Sequence, residues 1–208
     1  MSAQPLVYVV DDDPAILRLL ADLVQAIGLN AAAYRSAEEF LEARQPAGPG
    51  CLVLDVMVPG MSGLELQKRL AAAGSTLPII FITGHADVRM AVEAMERGAF
   101  GFLEKPFRPP ELCEKIAAAV RLDSEAWRRR EEQAGAAARL AQLTPAQRKV
   151  ADRVAAGKTN QMIARELLLS IRTVEVHRAR LMHRLGIGSR TELVGLVAAV
   201  RGECPAGA

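Results

Sequence analysis

Residues 51–63 read Cys51-Leu-Val-Leu-Asp55-Val-Met-Val-Pro-Gly60-Met-Ser-Gly63. Cys51–Leu54 is an apolar strand ending at Asp55. Met57–Gly63 carries Pro59, Gly60 and Gly63, which is loop chemistry. Ser62 then opens a helix that runs to Ala73 and is ended by Gly74. An apolar strand, an acid at its carboxyl end, a loop and a helix make one step of a parallel β/α sheet.

The same step recurs on both sides. Leu6–Val10 is a β-branched run closed by Asp11-Asp12-Asp13-Pro14, and Pro14 suits the first turn of a helix that stops at Gly28. Leu29–Tyr34 reads as a weak strand. Ser36, with Glu39 three residues on, is a capping-box pattern for a short helix. Pro78–Thr83 is a strongly apolar strand, followed by a helix from Asp87 to Arg97 that Gly98 stops. Phe100–Leu103 is the last strand, and Pro109-Pro110 opens another helix. Five β/α alternations in about 120 residues predict a doubly wound α/β domain around a five-stranded parallel sheet. The functional end of such a sheet lies at the carboxyl ends of its strands.

The chain has 208 residues, enough for two small domains. Aromatics make up only 4%, so aliphatic side chains must build the cores. No apolar run approaches the ~18 residues of a membrane span. No basic stretch precedes an apolar one near Met1, so neither a membrane partner nor a signal peptide is expected, and the expected location is the cytoplasm. Cys51, Cys113 and Cys204 are odd in number and far apart, which fits reduced, incidental thiols rather than a disulfide framework or a zinc site. Net charge is +2 but unevenly spread. Residues 1–122 carry a net −4 and residues 143–201 a net +7. The basic segment suits a polyanion such as DNA, although a solvated basic surface would look the same.

Four stretches follow from this patterning: a first domain at 1–122, a linker at 123–142, a basic all-helical domain at 143–201 and a tail at 202–208. In the first part of 111–142, Leu112, Ile116, Ala119 and Val120 form an apolar stripe. The stretch then becomes charged and alanine-rich, and beyond Arg130 a helical linker and a disordered connector remain open readings. Thr144-Pro145 is an N-cap followed by proline at the first helical position, starting a helix to Ala156. Thr159 opens a second helix to Leu167. Leu168–Ser170 is a turn into a third helix that ends at Gly186, and Ser189 opens a fourth.

Strands one, three, four and five end in Asp11/Asp12, Asp55, Thr83 and Lys105, and a doubly wound sheet brings these ends to one crevice. Three carboxylates together repel one another, so a hard divalent cation is a natural guest, and Mg2+ favours such oxygens while leaving room for water and phosphate. A carboxylate beside the ion can attack phosphorus. The ion, a hydroxyl and an ammonium would then balance charge on the transferring group.

Val9-Val10-Asp11-Asp12-Asp13, Leu54 through Gly63, Thr83-Gly84 and Lys105-Pro106-Phe107 resemble a response-regulator receiver domain of the flavodoxin-like fold, over about residues 5–122. The resemblance implies that Asp55 accepts a phosphoryl group from a sensor histidine kinase. It implies Asp11, Asp12, Asp55 and the backbone carbonyl of Met57 as the Mg2+ site, and Thr83 and Lys105 as contacts to the phosphoryl oxygens. Thr83 and Phe102 occupy the family's switch positions, and the Lys105–Pro106 bond would be cis. Phe102 reads equally well as a core aromatic.

On a helical wheel of the third C-terminal helix, Val174, Leu181 and Leu185 share one face, and Arg172, Val176, Ala179 and His183 lie opposite, flanked by Glu175 and Arg180. Small side chains on a basic face permit close approach to the major groove. Gly157 through Ala164, Thr173-Val-Glu-Val-His177 and Arg184-Leu-Gly-Ile187 resemble a LuxR-type helix-turn-helix, and with the receiver they resemble the NarL/FixJ family, in its FixJ-like branch. The resemblance covers about residues 142–200 and implies a four-helix DNA-binding domain. Arg172, Glu175, Val176 and Ala179 would face bases, with Lys158, Thr159, Asn160, Thr173, Arg178 and Arg180 near phosphates or supporting the docking. Glu175 stands where many relatives have lysine and suits acceptance of a hydrogen bond from cytosine. Ala146-Gln147 and Leu168 replace the family's usual acidic residue and glycine, which bears on capping and the turn.

Together the resemblances imply a regulator that accepts phosphate on Asp55, forms a homodimer when phosphorylated, binds double-stranded DNA half-sites and activates transcription, with RNA polymerase as a further partner. No catalytic residue in the enzymatic sense is expected. An aspartate-based phosphohydrolase is the contrasting reading, but Ala15 stands where such a motif needs a hydroxyl or valine.

Overall fold

The computed structural model describes residues 4–43, 48–84 and 88–202. The chain divides into two compact units, Met1–Trp127 and Arg128–Ala208.

The first unit is built on five parallel strands: β1 (Leu6–Val10), β2 (Asn30–Tyr34), β3 (Gly50–Asp55), β4 (Ile79–Thr83) and β5 (Gly101–Glu104). Their order is β2-β1-β3-β4-β5, the doubly wound, flavodoxin-like arrangement. Helices α1 (Pro14–Ala26), α2 (Ala37–Ala43), α3 (Gly63–Ala72), α4 (Val88–Glu96) and α5 (Pro109–Ala141) follow the strands in turn. The expected start of α4 at Asp87 lies outside the described residues, as do Cys204 and residues 203–208 of the tail.

The pleat sorts the apolar residues into two cores, one on each face of the sheet. Tyr8, Val10, Leu52, Leu54 and Phe81 pack with Phe40, Leu66, Leu70 and Ala94. Val7, Val9, Cys51, Val53, Ile80 and Ile82 pack with Leu17, Leu20, Leu112 and Ile116. Every residue of β3 and β4 is buried, which is why these strands are apolar without alternation. The thiol of Cys51 is pushed up to about 12 by burial, with the charge of Asp123 adding to it, so it is inert.

Two local features differ from expectation. Ser36 does cap α2, its Oγ accepting the Glu39 N–H at 3.1 Å, but Glu39 Oε2 reaches one residue further back, to the Arg35 N–H at 2.7 Å. The capping box is therefore not closed on Ser36 itself. The second is Asp123, which stands at the head of the stretch assigned to the linker. It is buried in the first unit, where its Oδ2 accepts the Gly50 N–H at 2.9 Å and so satisfies the first amide of β3.

The second unit comprises the end of α5 with α6 (Pro145–Ala155), α7 (Asn160–Leu167), α8 (Ile171–Leu185) and α9 (Arg190–Arg201). Ala136 and Leu140 of α5 are buried with Val150, Val154, Ile163, Val174, Leu181, Leu185, Leu193 and Val197. Ala136 and Leu140, in the stretch read as linker, are thus part of this core. Arg139 Nη2 also donates to the Leu185 carbonyl at 2.6 Å, tying α5 to the end of α8. Thr144 and Gln147 form a complete capping box at α6, so the glutamine does the work of the usual acid.

Leu168 closes α7 in the left-handed region, at φ 54° and ψ 43°, with 92% of its surface exposed. A side chain there costs about 1–2 kcal/mol relative to the free choice of glycine. Leu168→Gly should therefore raise the stability of this unit by about 1 kcal/mol, read as a later thermal transition. Asp123→Ala should act oppositely. It orphans the buried Gly50 amide and should cost about 1–3 kcal/mol in denaturant unfolding.

Candidate functional site

The carboxyl ends of β1 and β3 lie side by side at the switch point of the sheet, and β4 and β5 follow. Asp11 follows β1 and is fully buried; its N–H donates to the Tyr34 carbonyl at 3.2 Å. Its Oδ1 accepts the Asp13 N–H at 3.0 Å, and Asp13 in turn caps α1 through the Ala15 N–H at 2.7 Å. Asp12, between them, is exposed. Asp55 ends β3 and is buried, its Oδ1 accepting the Met57 N–H at 2.9 Å. Thr83 ends β4, also buried. Lys105 follows β5; its N–H donates to the Thr83 carbonyl at 2.7 Å, and the bond to Pro106 is cis.

One cation holds the cluster together. Lys105 Nζ donates to Asp11 Oδ2 at 2.7 Å and to Asp55 Oδ2 at 2.6 Å. Burial works against the ammonium, but the hydrogen bonds and charges of Asp11 and Asp55 outweigh it, and its pKa is raised. The Asp11 carboxyl is itself pushed up, because burial outweighs the help of Lys105 and of the Asp13 N–H. Asp11, Asp12 and Asp55 each present one carboxylate oxygen within 4.8 Å of the others. A compact, all-oxygen acidic donor set suits a hard divalent cation.

Beside this cleft stands the β3–α3 loop. Met57 is 58% exposed at its start, while Val58 and Met61 are buried. Gly63 lies so close to Asp55 that a Cβ there would fall 2.4 Å from the Asp55 carbonyl oxygen, and its N–H donates to the Val56 carbonyl at 3.0 Å. Phe102 is half-buried on β5, its ring 6.4 Å from that of Phe81 across the strand pair.

The second unit presents α8. Val174, Leu181 and Leu185 point into its core, and Arg172, Glu175, Val176, Ala179 and Arg180 face solvent. The other residues singled out for DNA have partners within the unit. Thr159 caps α7 through the Met162 N–H, and Thr173 Oγ1 lies 2.8 Å from Ser170 Oγ at the cap of α8. Arg178 Nη1 donates to Asn160 Oδ1 at 3.3 Å, joining α8 to the start of α7. Lys158 is paired with Glu166, which Arg153 also binds at 3.1 Å. Glu166 and Arg153 carried no sequence signal for this role.

Residues 7–117 match the family described as response regulator receiver domain, and residues 141–197 match bacterial regulatory proteins of the luxR family. The chain is 41% identical over 196 residues to the transcriptional regulatory protein FixJ of Bradyrhizobium diazoefficiens, covering 94% of this chain and 96% of that one. The chain belongs to the FixJ-type two-component response regulators. This regulator is also 39% identical over 193 residues to nodulation protein W of the same organism, covering 93% of the regulator and 85% of the relative. The solved response regulator StyR superposes with a TM-score of 0.84 at 40% identity, covering 94% of this regulator and 98% of StyR. A receiver joined to a LuxR-type helix-turn-helix makes the regulator a DNA-binding transcription factor that answers to a histidine kinase. Among the described residues, no helix is long and apolar enough to cross a membrane.

Lys105 also yields a pH test. Its folded pKa is raised, so its stabilising contribution is complete below the ordinary lysine value of 10.5 and is lost as pH rises through the folded value. Native protein should exceed Lys105→Met in stability at neutral pH, and the gap should close in alkaline melts above that value.

Proposed function

We propose that this regulator accepts a phosphoryl group on Asp55 and converts the event into DNA binding by a dimer that activates transcription. The observation that carries the reading is the pair of hydrogen bonds by which Lys105 joins Asp11 to Asp55 at adjoining strand ends. Asp55 Oδ1 is held by the Met57 amide, and Oδ2 lies against the ammonium. A carboxylate oxygen of Asp55 attacks phosphorus, and the bond from phosphorus to the donor nitrogen breaks. Lys105 and the Thr83 hydroxyl then contact the new phosphoryl oxygens. Asp11, Asp12, Asp55 and the Met57 carbonyl would hold Mg2+. That ion supplies charge neutralisation for the transferring group.

Once Asp55 carries the acyl phosphate, Thr83 and Phe102, on neighbouring strands, would follow the change in charge. The phosphorylated form then favours a receiver surface that pairs with a second copy. Pairing links two helix-turn-helix units for neighbouring half-sites. On α8, Arg172, Glu175, Val176 and Ala179 face the bases, and Arg180 a phosphate. Asn160 and Arg178 brace the two helices against each other, Thr159 and Thr173 fix their caps, and Lys158 reaches phosphate only by sharing its charge with Glu166. RNA polymerase is the next partner in such a pathway, and the cytoplasm the compartment in which it runs.

The test is DNA binding with Mg2+ and a small phosphoryl donor, on sites recovered by selection. Phosphorylation should tighten binding of the native chain by about 100-fold, the lower range for linked sites. Asp55→Ala should bind with one affinity in all conditions. Equal affinity of the native chain with and without donor would remove the switch.

A further inference from the structure

The corner between β2 and α2 touches the acidic cleft from two directions. Its first contact is with the end of β1, where the Tyr34 carbonyl accepts the Asp11 N–H at 3.2 Å. Its second is made by Glu38, in the first turn of α2. Glu38 Oε1 accepts the Met61 N–H at 2.9 Å, across to the β3–α3 loop. Gly60 adjoins the same carboxylate: a Cβ there would lie 2.8 Å from Glu38 Oε1, and Gly60 holds φ +81°. The loop is folded against Glu38 at two successive residues.

The loop's other restraints include the Val56 N–H on the Ile82 carbonyl of β4, the Met57 N–H on Asp55 Oδ1, the Gly63 N–H on the Val56 carbonyl, and the burial of Val58 and Met61. Glu38 adds a restraint from α2, the helix that follows closely on the end of β2, whose Tyr34 carbonyl accepts the Asp11 N–H. The same short corner therefore spans from the Asp11–Asp12 pair on one side of the cleft to the loop carrying Met57 on the other. The Glu38 carboxyl is also held below its ordinary value, first by its own backbone N–H and then by that of Met61, with Arg69 adding a smaller attraction. It reaches the loop as an anion, the stronger acceptor.

We propose that Glu38 is a positioning residue that sets the spacing between the Met57 carbonyl and the Asp11–Asp12 pair, and so tunes the affinity of the cleft for a divalent cation. The inference rests on the reading of Asp11, Asp12, Asp55 and Met57 as the metal ligands. Mg2+ demands near-ideal octahedral geometry, so a loop that drifts by a fraction of an ångström loses affinity even with every ligand present. Glu38 acts through the loop and touches no ligand itself.

The test is calorimetric titration of Mg2+ into the unphosphorylated full chain, for native protein, Glu38→Ala, Glu38→Gln and Asp12→Ala. Glu38→Ala should bind Mg2+ about tenfold more weakly, the lower range for loss of an outer-shell partner. Glu38→Gln keeps an oxygen that can accept the Met61 N–H and should stay within about twofold of native. Hydrogen exchange in the loop, residues 56–62, should accelerate in Glu38→Ala and not in Glu38→Gln. Asp12→Ala should lose Mg2+ binding and so certifies the site. Native-like Mg2+ affinity in Glu38→Ala, with Asp12→Ala inactive, overturns the role of Glu38 and leaves the metal site standing. Equal weakening in Glu38→Gln and Glu38→Ala also overturns it, because the acceptor would then not be what matters. An Asp12→Ala response equal to native, or no native binding, removes the metal site and the proposal together.

Discussion

The ammonium of Lys105 is the charge on which the first unit's functional end depends. Two carboxylates meet at the ends of β1 and β3, and one of them, Asp11, is fully buried. Buried like charges cannot both stay ionised without a counter-charge. Lys105 supplies it, bonded to both, from the far side of β4. Its backbone N–H is fixed to the Thr83 carbonyl, so the cation arrives on a short tether. A divalent ion would compete for the same carboxylates, and a phosphoryl group on Asp55 would take over one of the two bonds that Lys105 makes. The arrangement thus suits an exchange of partners around the Asp11 and Asp55 carboxylates.

That exchange needs the sheet order. With β1 beside β3, the connections leave in opposite directions and a crevice opens between Asp11 and Asp55. The two apolar faces hold the strands in register, so the position of each acid follows from packing far below it. Gly63 closes the loop against Asp55 where a side chain would not fit. Cys51 and Asp123 lie at the opposite end of β3, where a buried carboxylate completes the strand's first hydrogen bond. The strand that carries Asp55 is thus fixed at both ends by polar contacts and along its length by apolar ones.

Much of this was legible in the sequence, for a physical reason. Apolar runs ending in Asp11, Asp55 and Thr83 mark both the strands and the ends that converge, so periodicity alone located the site. Resemblance then gave the residues their roles. What stayed hidden were contacts made through the backbone. Asp123 serves the amide of Gly50, 73 residues earlier, and no side-chain pattern marks such a pair. Glu38 and Glu39 are adjacent acids at a helix start, and spacing selected Glu39 for the cap while the longer reach of Glu38 to Met61 left no trace. The substitution of leucine for glycine at 168 was visible, but not that the backbone keeps the left-handed turn regardless. The stretch read as a helical linker continues α5 to Ala141, but an alanine-rich pattern did not show that Ala136 and Leu140 within it pack into the second unit's core.

In the second unit, charge alone would mark every arginine and lysine as a candidate for DNA. The structure divides them by what they already hold. Lys158 and Arg153 share Glu166, Arg178 holds Asn160, and Arg139 and Arg184 close helix ends through the carbonyls of Leu185 and Gln142. Of these, Arg178 joins α8 to the start of α7, and the angle between those helices determines how α8 would enter a groove. Arg172 and Arg180 instead stand on the exposed face of α8, on either side of Val176 and Ala179. A helix so divided separates two tasks. On the proposed reading, the paired residues would set orientation, which carries no base information, and the exposed face would be left to read sequence. On that reading, an exposed acid at Glu175 among these cations would lower non-specific attraction to phosphate and leave an acceptor available to a base, which would favour discrimination over bulk affinity.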